Sequence, residues 1–211
     1  MGRLFCLCVD FQSRVRYRVS NVISSAMRTL TIEEIQRCFS SSVDFNEIFG
    51  AFESALAQQM KDIEPYRCLF WNHSLSPDEV RLFGEKLAAE FPDMAYDVFS
   101  WLASIFEATQ SSSDNYELAF HYFRRAAKAR PTEPDPYLDA CDCYEPDLNI
   151  PPLMSLIEFV KEGIDYVIPP KLLYKRLARL CDLAGDGVQA EMYRRKAGDF
   201  DGTPGGEPSP A

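Results

Sequence analysis

The sequence predicts an all-α protein built from short antiparallel pairs of amphipathic helices. The first observation is a stripe of apolar residues with helical spacing, which comprises Phe99, Leu102, Ala103 and Phe106. The second is a matching stripe on the next helix, which comprises Ala119, Phe123, Ala126 and the terminating Pro131. The third is the mixture of sizes, because small residues let two helices approach while large aromatic side chains fill the space beside them.

The apolar pattern of the first of these two helices, which starts at Phe99, occurs three times along the chain. It returns at Tyr137, Ala140, Cys141 and Tyr144, and again at Tyr174, Leu177, Ala178 and Cys181. Tyr137 lies 38 residues after Phe99, and Tyr174 lies 37 residues after Tyr137. The pattern resembles the tetratricopeptide repeat (TPR), which has a period of about 34 residues.

The resemblance implies a right-handed stack of about three antiparallel helix hairpins, preceded by further N-terminal helices. The residues in excess of the family period fit the turns between paired helices, at Ser111–Asp114 and near Pro146–Pro151. Asp114 with Glu117 is predicted to cap the second helix of the central pair. An irregular helical bundle is the alternative architecture.

Residues 1–26 do not share the helical pattern. Val15, Tyr17 and Val19 alternate with arginines, which is the spacing of a β-strand that has no partner in a helical protein. We expect this extension to be poorly ordered, or translation to begin at Met27. The alternative is a basic anchor at a membrane surface, where stable attachment needs two lipid signals.

The N-terminal helical part is predicted to cover residues 27–92. Capping residues predict helix starts at Thr31, Asp44 and Ser76. Pro65 is expected to end the second of these helices, and Pro65–His73 is interpreted as a short aromatic piece. The helix after Ser76 is predicted to be the second helix of a degenerate repeat, whose first helix is either Asp44–Gln59 or Pro65–His73.

The repeats are expected to fill residues 93–199. After the central pair, the predicted helices are Pro134–Tyr144, Pro152–Tyr166, Pro170–Leu183 and a last helix that faces back through Ala190, Tyr193 and Ala197. A tight turn at Ala184–Asp186 precedes the last helix. Residues 200–211 are rich in Gly and Pro and poor in apolar side chains, which predicts a mobile tail.

Composition argues against several classes of function. The chain of 211 residues has a formal net charge of −10 and a pI near 4.7, whereas a nucleic acid partner requires a basic face. No apolar run is long enough to span a membrane, and no secretory leader is visible. The seven scattered cysteines favour a reducing compartment, so we expect a cytoplasmic protein.

Few residues indicate catalysis. Cys141 and Cys143 form a close thiol pair, but side chains two residues apart on a helix point about 200° apart, which disfavours a shared metal. In the packing interpretation, Cys141 fills a small-residue place and Cys143 is incidental. We therefore expect no enzyme activity and no cofactor. The alternative is a small metal- or thiol-dependent enzyme that uses this acidic helix.

In TPR proteins the first helices line a concave groove that contacts the ligand. When the family's ligand-contacting positions are placed relative to Phe99, Tyr137 and Tyr174, the resemblance implies a partner-binding groove. Its residues are Asp97, Ser100, Ser104, Glu107, Asp135, Leu138, Asp142, Lys175 and Arg179. The remaining groove places hold Glu145, Leu172 and Asp182. Some TPR domains hold the C-terminal carboxylate of a chaperone with Lys and Asn side chains, and this sequence departs from that pattern because its first two repeats offer acids.

The sequence therefore predicts a protein-interaction scaffold or adaptor. Its partner is expected to be an extended or helical protein segment, whose basic residues meet the acidic part of the groove. Self-association of a structural subunit through the same groove is a further alternative. Both interpretations need the first helices to lie side by side with their polar residues exposed.

Overall fold

The computed structural model describes residues 30–109 and 113–199. These residues form ten α-helices and no β-strand, which confirms the all-α prediction. The helices are α1 (Ile32–Ser41), α2 (Phe45–Ala57), α3 (Ile63–Phe70), α4 (Pro77–Glu90), α5 (Ala95–Ala108), α6 (Ser113–Ala129), α7 (Asp135–Asp142), α8 (Leu153–Ile164), α9 (Lys171–Leu183) and α10 (Gly187–Asp199). The predictions for residues 1–26 and for the tail 200–211 lie outside the described residues.

Side chains at the starts of two N-terminal helices have the predicted capping geometry. The Asp44 carboxylate accepts a hydrogen bond from the Asn46 backbone N–H at 2.7 Å, directly before α2. Before α4, Ser76 and Glu79 form a complete capping box around Pro77. These bonds satisfy backbone donors that a helix start leaves unpaired, so both starts are fixed locally.

The segment around Pro65 differs from the prediction. The helix α2 ends at Ala57, and Pro65 is the third residue of a separate helix, α3. Proline is tolerated in the first turn of a helix because the N–H that it lacks has no intrahelical partner there. The aromatic piece is therefore a helix, and its Tyr66 ring packs against Phe39 and Phe52 in the core.

The N-terminal core is a cluster of phenylalanine rings between α2 and α4. Phe83 of α4 lies 5.8, 6.4 and 4.9 Å from the ring centres of three residues of α2, namely Phe45, Phe49 and Phe52. The helix α4 also packs against α3, so both helices that the sequence offered as its partner contact it. This cluster does not recur in the later helices.

The later helices pack mainly against their neighbours in the chain, and we group them as the pairs α5–α6, α7–α8 and α9–α10. The pairs α5–α6 and α9–α10 are the most extensively packed, and α7 packs against α8. Each second helix also packs against the first helix of the next pair, as α6 does with α7 and α8 does with α9. The first helices α7 and α9 contact each other as well.

One ring contact recurs in each of these three pairs. The contacts are Phe99–Tyr122 at 6.1 Å, Tyr137–Phe159 at 4.8 Å and Tyr174–Tyr193 at 6.1 Å between ring centres. In every pair, the second ring lies three residues after one packing position and four before another; these positions are Ala119 and Ala126, Leu156 and Gly163, and Ala190 and Ala197. Tyr193 therefore stands where Tyr122 and Phe159 stand in their own helices.

Close helix approach explains the glycine at one of these positions. A Cβ atom on Gly163 would lie 2.8 Å from the Tyr137 ring and 3.0 Å from the Leu173 side chain. The helix α8 is therefore pressed against both α7 and α9 at this point. A Cβ atom on Gly84 of α4 would likewise lie 2.5 Å from a methyl carbon of Leu102 on α5.

A polar junction joins the N-terminal helix α4 to the α5–α6 pair. Glu85 of α4 accepts a hydrogen bond from the Tyr122 hydroxyl at 3.0 Å and forms an ion pair with Arg125, both on α6. Burial, reinforced by the nearby Glu85 charge, raises the pKa of Tyr122 to about 12. The Arg125 guanidinium also lies 4.0 Å from the centre of the Phe99 ring.

Two turns can be compared with the prediction. Gly185 has a φ of +76°, which favours glycine, and it lies in the expected turn between α9 and α10. The helix α10 buries Ala190, Tyr193 and Ala197 as predicted. The helix α6 begins at Ser113, which places Asp114 inside the helix rather than at its cap.

Candidate functional site

The predicted groove residues lie on three helices, α5, α7 and α9. We call these nine residues, with their neighbours on the same helices, the first-helix face. Its exposed members are Asp135, Asp142, Lys175 and Arg179, and its half-buried members are Asp97, Ser100, Ser104, Glu107 and Leu138. Burial raises the pKa of Glu107, and the Cys143 thiol lies close enough to this carboxylate to lower that pKa in part, which places the end of α5 beside the end of α7.

The carboxylates around Asp139 form the acidic end of the face. The Asp139 side chain lies on the surface, but the surrounding protein partly desolvates its carboxyl, and this desolvation, followed by the negative charges of Asp135 and Glu107, raises its pKa to about 6. Burial also raises the pKa of Glu107, and the charge of Asp142 adds to this effect. Two helices, α5 and α7, therefore hold four acidic groups close enough to interact.

Asp139 was not among the residues predicted for the groove. It follows Asp135 by four residues on α7, and this spacing places two side chains on the same side of a helix. That spacing is the sequence signal that would have identified it. Its charge belongs with those of the predicted acids because Glu107 and Asp142 both act on its carboxylate.

Asp142 is paired within the protein. Arg176 of α9 binds both of its carboxylate oxygens, with N–O distances of 2.8 and 2.9 Å. Arg176 was not predicted from the sequence, and it lies 34 residues away along the chain. The pair links two neighbouring first helices, and it partly neutralises a residue that was predicted to meet the partner.

Asp97 is also paired. Arg130, just after α6, lies 3.1 Å from its carboxylate, and the same guanidinium lies 4.5 Å from the centre of the Tyr96 ring. Both members of the ion pair are partly exposed, so its contribution to stability is small, about 0.2–1 kcal/mol. The pair nevertheless ties the start of α5 to the end of α6.

The two predicted serines have limited access to a partner. The Ser104 hydroxyl donates a hydrogen bond to the Ser100 backbone carbonyl at 3.1 Å, inside α5. Between them, Trp101 stacks under the guanidinium of Arg67 from α3, at 4.0 Å from the ring centre. Sequence periodicity did not reveal this contact, because the two residues come from different pairs of helices.

The basic end of the face lies on α9. Within the described residues, Lys175 and Arg179 are exposed and have no carboxylate within ion-pair distance. A cavity of about 170 Å³ lies beside Arg179, between α7 and α9. It is lined by Cys141, Asp142, Tyr144, Pro146, Arg176, Arg179, Leu180 and Leu183. A second hollow of about 320 Å³ lies between α9 and α10, and Arg179 lines it too.

The thiols have a different arrangement from the one predicted. Cys143 is buried, with 2% of its surface exposed, whereas Cys141 is half-buried and its thiol donates a hydrogen bond to the Tyr137 carbonyl at 3.2 Å. Cys143 is therefore a packing residue rather than an incidental one. Burial raises the pKa of Cys141 to about 12 and also raises that of Cys143. Neither thiol is activated as a nucleophile, since the thiolate is the reactive form.

Searches for related proteins and for other site types add three findings. No family model matches the sequence, and no curated protein gives a significant match. Within the residues that the structure describes, no three or more His, Cys, Asp and Glu side chains are grouped as metal ligands. No helix in the same part of the chain is both long enough and apolar enough to cross a membrane. We therefore infer the function from the contacts within this chain.

Proposed function

We propose that this protein is a TPR-like scaffold or adaptor that binds a peptide segment along the first-helix face. The observation that carries the proposal is the recurring ring contact, found between Phe99 and Tyr122 and at the matching places of the next two pairs. Pairs that share one internal contact and pack in sequence are the arrangement expected of about three stacked repeats. A right-handed stack of this kind leaves its first helices side by side as a concave face.

The charge distribution supports a partner with basic residues. Three acids of the face have no basic side chain of the described residues within ion-pair distance, namely Glu107, Asp135 and Asp139. Asp97 and Asp142 instead hold neighbouring helices together through their arginines. Basic side chains of a partner would relieve the mutual repulsion of the unpaired acids, and this relief favours binding.

The thiols support an intracellular setting for such a scaffold. All five cysteines of the described residues are free, namely Cys38, Cys68, Cys141, Cys143 and Cys181. Free thiols are usual in the reducing cytoplasm and uncommon in secreted domains. We therefore place the interaction in the cytoplasm, with a binding role rather than a catalytic one.

The test is selection of ligands from a displayed library of random twelve-residue peptides. We expect the peptides that bind the purified protein to be enriched in Lys and Arg. The variant Asp135→Lys/Asp139→Lys should bind the selected peptides about tenfold more weakly at low salt, because two attractive contacts become repulsive. The loss should shrink at high salt, where exposed charges are screened.

A matched control separates the face from the net charge of the protein. Glu117→Lys/Glu158→Lys makes the same change in charge on the exposed sides of α6 and α8, which are second helices. We expect this variant to retain near wild-type affinity in fluorescence anisotropy. Equal losses in the two variants, or a library that yields no binding peptide, would refute the proposed function.

A further inference from the structure

The cavity between α7 and α9 is open to solvent and is large enough for one side chain. It has an apolar side formed by Tyr144, Pro146, Leu180 and Leu183 and a polar side formed by Cys141, Asp142, Arg176 and Arg179. Its volume is about 170 Å³, and an apolar cavity of about 150 Å³ in another protein is known to hold benzene. Leu180 is buried in its wall, and Leu183, which also lines it, has 52% of its surface exposed. Tyr144 and Pro146 supply further apolar surface.

Two arginines line the cavity, and they differ in what they bind. Arg176 is held by both oxygens of Asp142, so its charge is already compensated. Arg179 follows it on α9 and is exposed, with no acidic partner among the described residues. Lys175, one helical turn before Arg179, is also exposed and likewise has no acidic partner among the described residues. A guanidinium with no acidic partner, beside the apolar side of this cavity, matches a ligand that carries a carboxylate next to an apolar group.

We propose that this cavity takes an apolar side chain of the bound peptide and that Arg179 binds the carboxylate of an adjacent Asp or Glu. The inference rests on the proposed function and makes it more specific. The partner segment is then bipolar, with its basic residues over α5 and α7 and its apolar–acidic residues over α9. The carboxylate comes from a side chain within the segment, so the site does not require the end of a chain.

Selection from the same displayed library tests this preference. Every displayed peptide is joined through its C-terminus to the coat protein, so a selected carboxylate belongs to a side chain. We expect the wild-type protein to enrich peptides in which Leu, Ile, Met or Phe adjoins Asp or Glu. Selection on Arg179→Glu should replace that acid with Lys or Arg, because the preferred charge is reversed. Lys161→Glu, an exposed control on α8, should keep the wild-type preference.

Synthetic peptides with blocked ends then separate the two contacts. Replacing the apolar residue of a selected peptide by Ala should weaken binding about tenfold, as expected for loss of a buried side chain. Arg179→Gln should weaken binding about threefold, as expected for an exposed ion pair. Leu183→Gln should also weaken it, whereas Val188→Gln, which changes an exposed apolar residue of α10, should not.

The outcomes distinguish this inference from the proposed function. If basic peptides bind and depend on Asp135 and Asp139 but show no apolar–acidic preference, the inference is wrong and the proposed function stands. If Arg179→Glu selects the same peptides as the wild-type protein, the inference is also wrong. If no peptide binds at all, both are wrong. Selection of apolar–acidic pairs that reverse with Arg179 supports both.

Discussion

The N-terminal helices α1–α4 and the later helices α5–α10 use aromatic residues in different ways. In the first region one ring, that of Phe83, contacts three rings of a single neighbouring helix. In the second region each pair has its own ring contact at a matching place. In helical repeat proteins, a cluster that occurs once is typical of a cap at one end of the stack. A contact that recurs allows the stack to grow by addition of further helix pairs.

Truncation of one buried phenylalanine in each region is the largest expected effect. Phe83 and Phe159 are both nearly inaccessible to solvent, and Phe159 contacts the two rings of Tyr137 and Phe120. Each Phe→Ala change should lower the free energy of unfolding by about 3–5 kcal/mol. Phe83→Ala should lower it by about 1 kcal/mol more, because it loses more ring contacts.

Guanidinium unfolding followed by circular dichroism measures both changes. Phe159→Leu serves as a control, since it retains an apolar side chain and should recover much of the loss. If Phe159→Ala is the more damaging of the two truncations, the N-terminal cluster is not the more strongly coupled core. The later helices would then contain the more strongly coupled core.

The two close-packed glycines should respond differently to an added methyl group. In Gly163→Ala the new Cβ meets the Tyr137 ring, which Phe159 holds in place, so we expect a loss of about 1–2 kcal/mol. In Gly84→Ala it meets the end of the Leu102 side chain, which can rotate, and alanine favours a helix by about 1 kcal/mol. Gly84→Ala should therefore stay within about 0.5 kcal/mol of the wild type.

Denaturation midpoints of the two alanine variants sharpen the comparison further. Unchanged m-values would show that both variants unfold from the same compact state. Equal losses at Gly84 and Gly163 would mean that the Leu102 side chain is as constrained as the Tyr137 ring. In that case, the packing between α4 and α5 would be as tight as that between α7 and α8.

The smallest expected effect concerns pH and lies wholly in the later region, α5–α10. Because the pKa of Asp139 is raised to about 6, the folded protein binds this proton more tightly than the unfolded chain does. The contribution of Asp139 to stability therefore falls as the pH rises from about 4 to 6. Asp139→Asn removes this fall, so the variant should be more stable than the wild type at pH 7, by less than about 1 kcal/mol after solvent screening.

Thermal unfolding between pH 4 and pH 7 measures the difference between variant and wild type. Asp147→Asn, in the exposed turn between α7 and α8, is the control and should show no such trend. A difference between Asp139→Asn and wild type that stays constant with pH would show that the acids around Asp139 do not act on it. The crowding of charge at the acidic end would then be excluded.

Much of the fold was accessible from the sequence because its signals are local. The cap at Ser76 depends on residues within three positions, and the buried stripe on α5 depends on helical spacing alone. The prediction failed at Pro65 because the same residue type can end one helix or begin another. Which of the two happens depends on the contacts of Tyr66 with distant helices, and these contacts are not encoded in a short window.

The candidate site was less accessible, because its charges are paired over long distances in the chain. Arg130 lies 33 residues from Asp97, and Arg176 lies 34 residues from Asp142. Sequence register identified the acids but not the arginines that compensate them. Burial of Cys143 was missed for a related reason, since its neighbour Glu107 belongs to another helix pair.

The turn at Gly185 has a consequence for the order in which the chain acquires its structure. Only three residues separate α9 from α10, whereas ten separate α7 from α8. A short loop closes at a smaller loss of chain entropy, and contacts between near neighbours form fastest. We therefore expect α9 and α10 to pair early in folding. The helices α7 and α8, whose loop is longer, should then form their pair by packing onto α9.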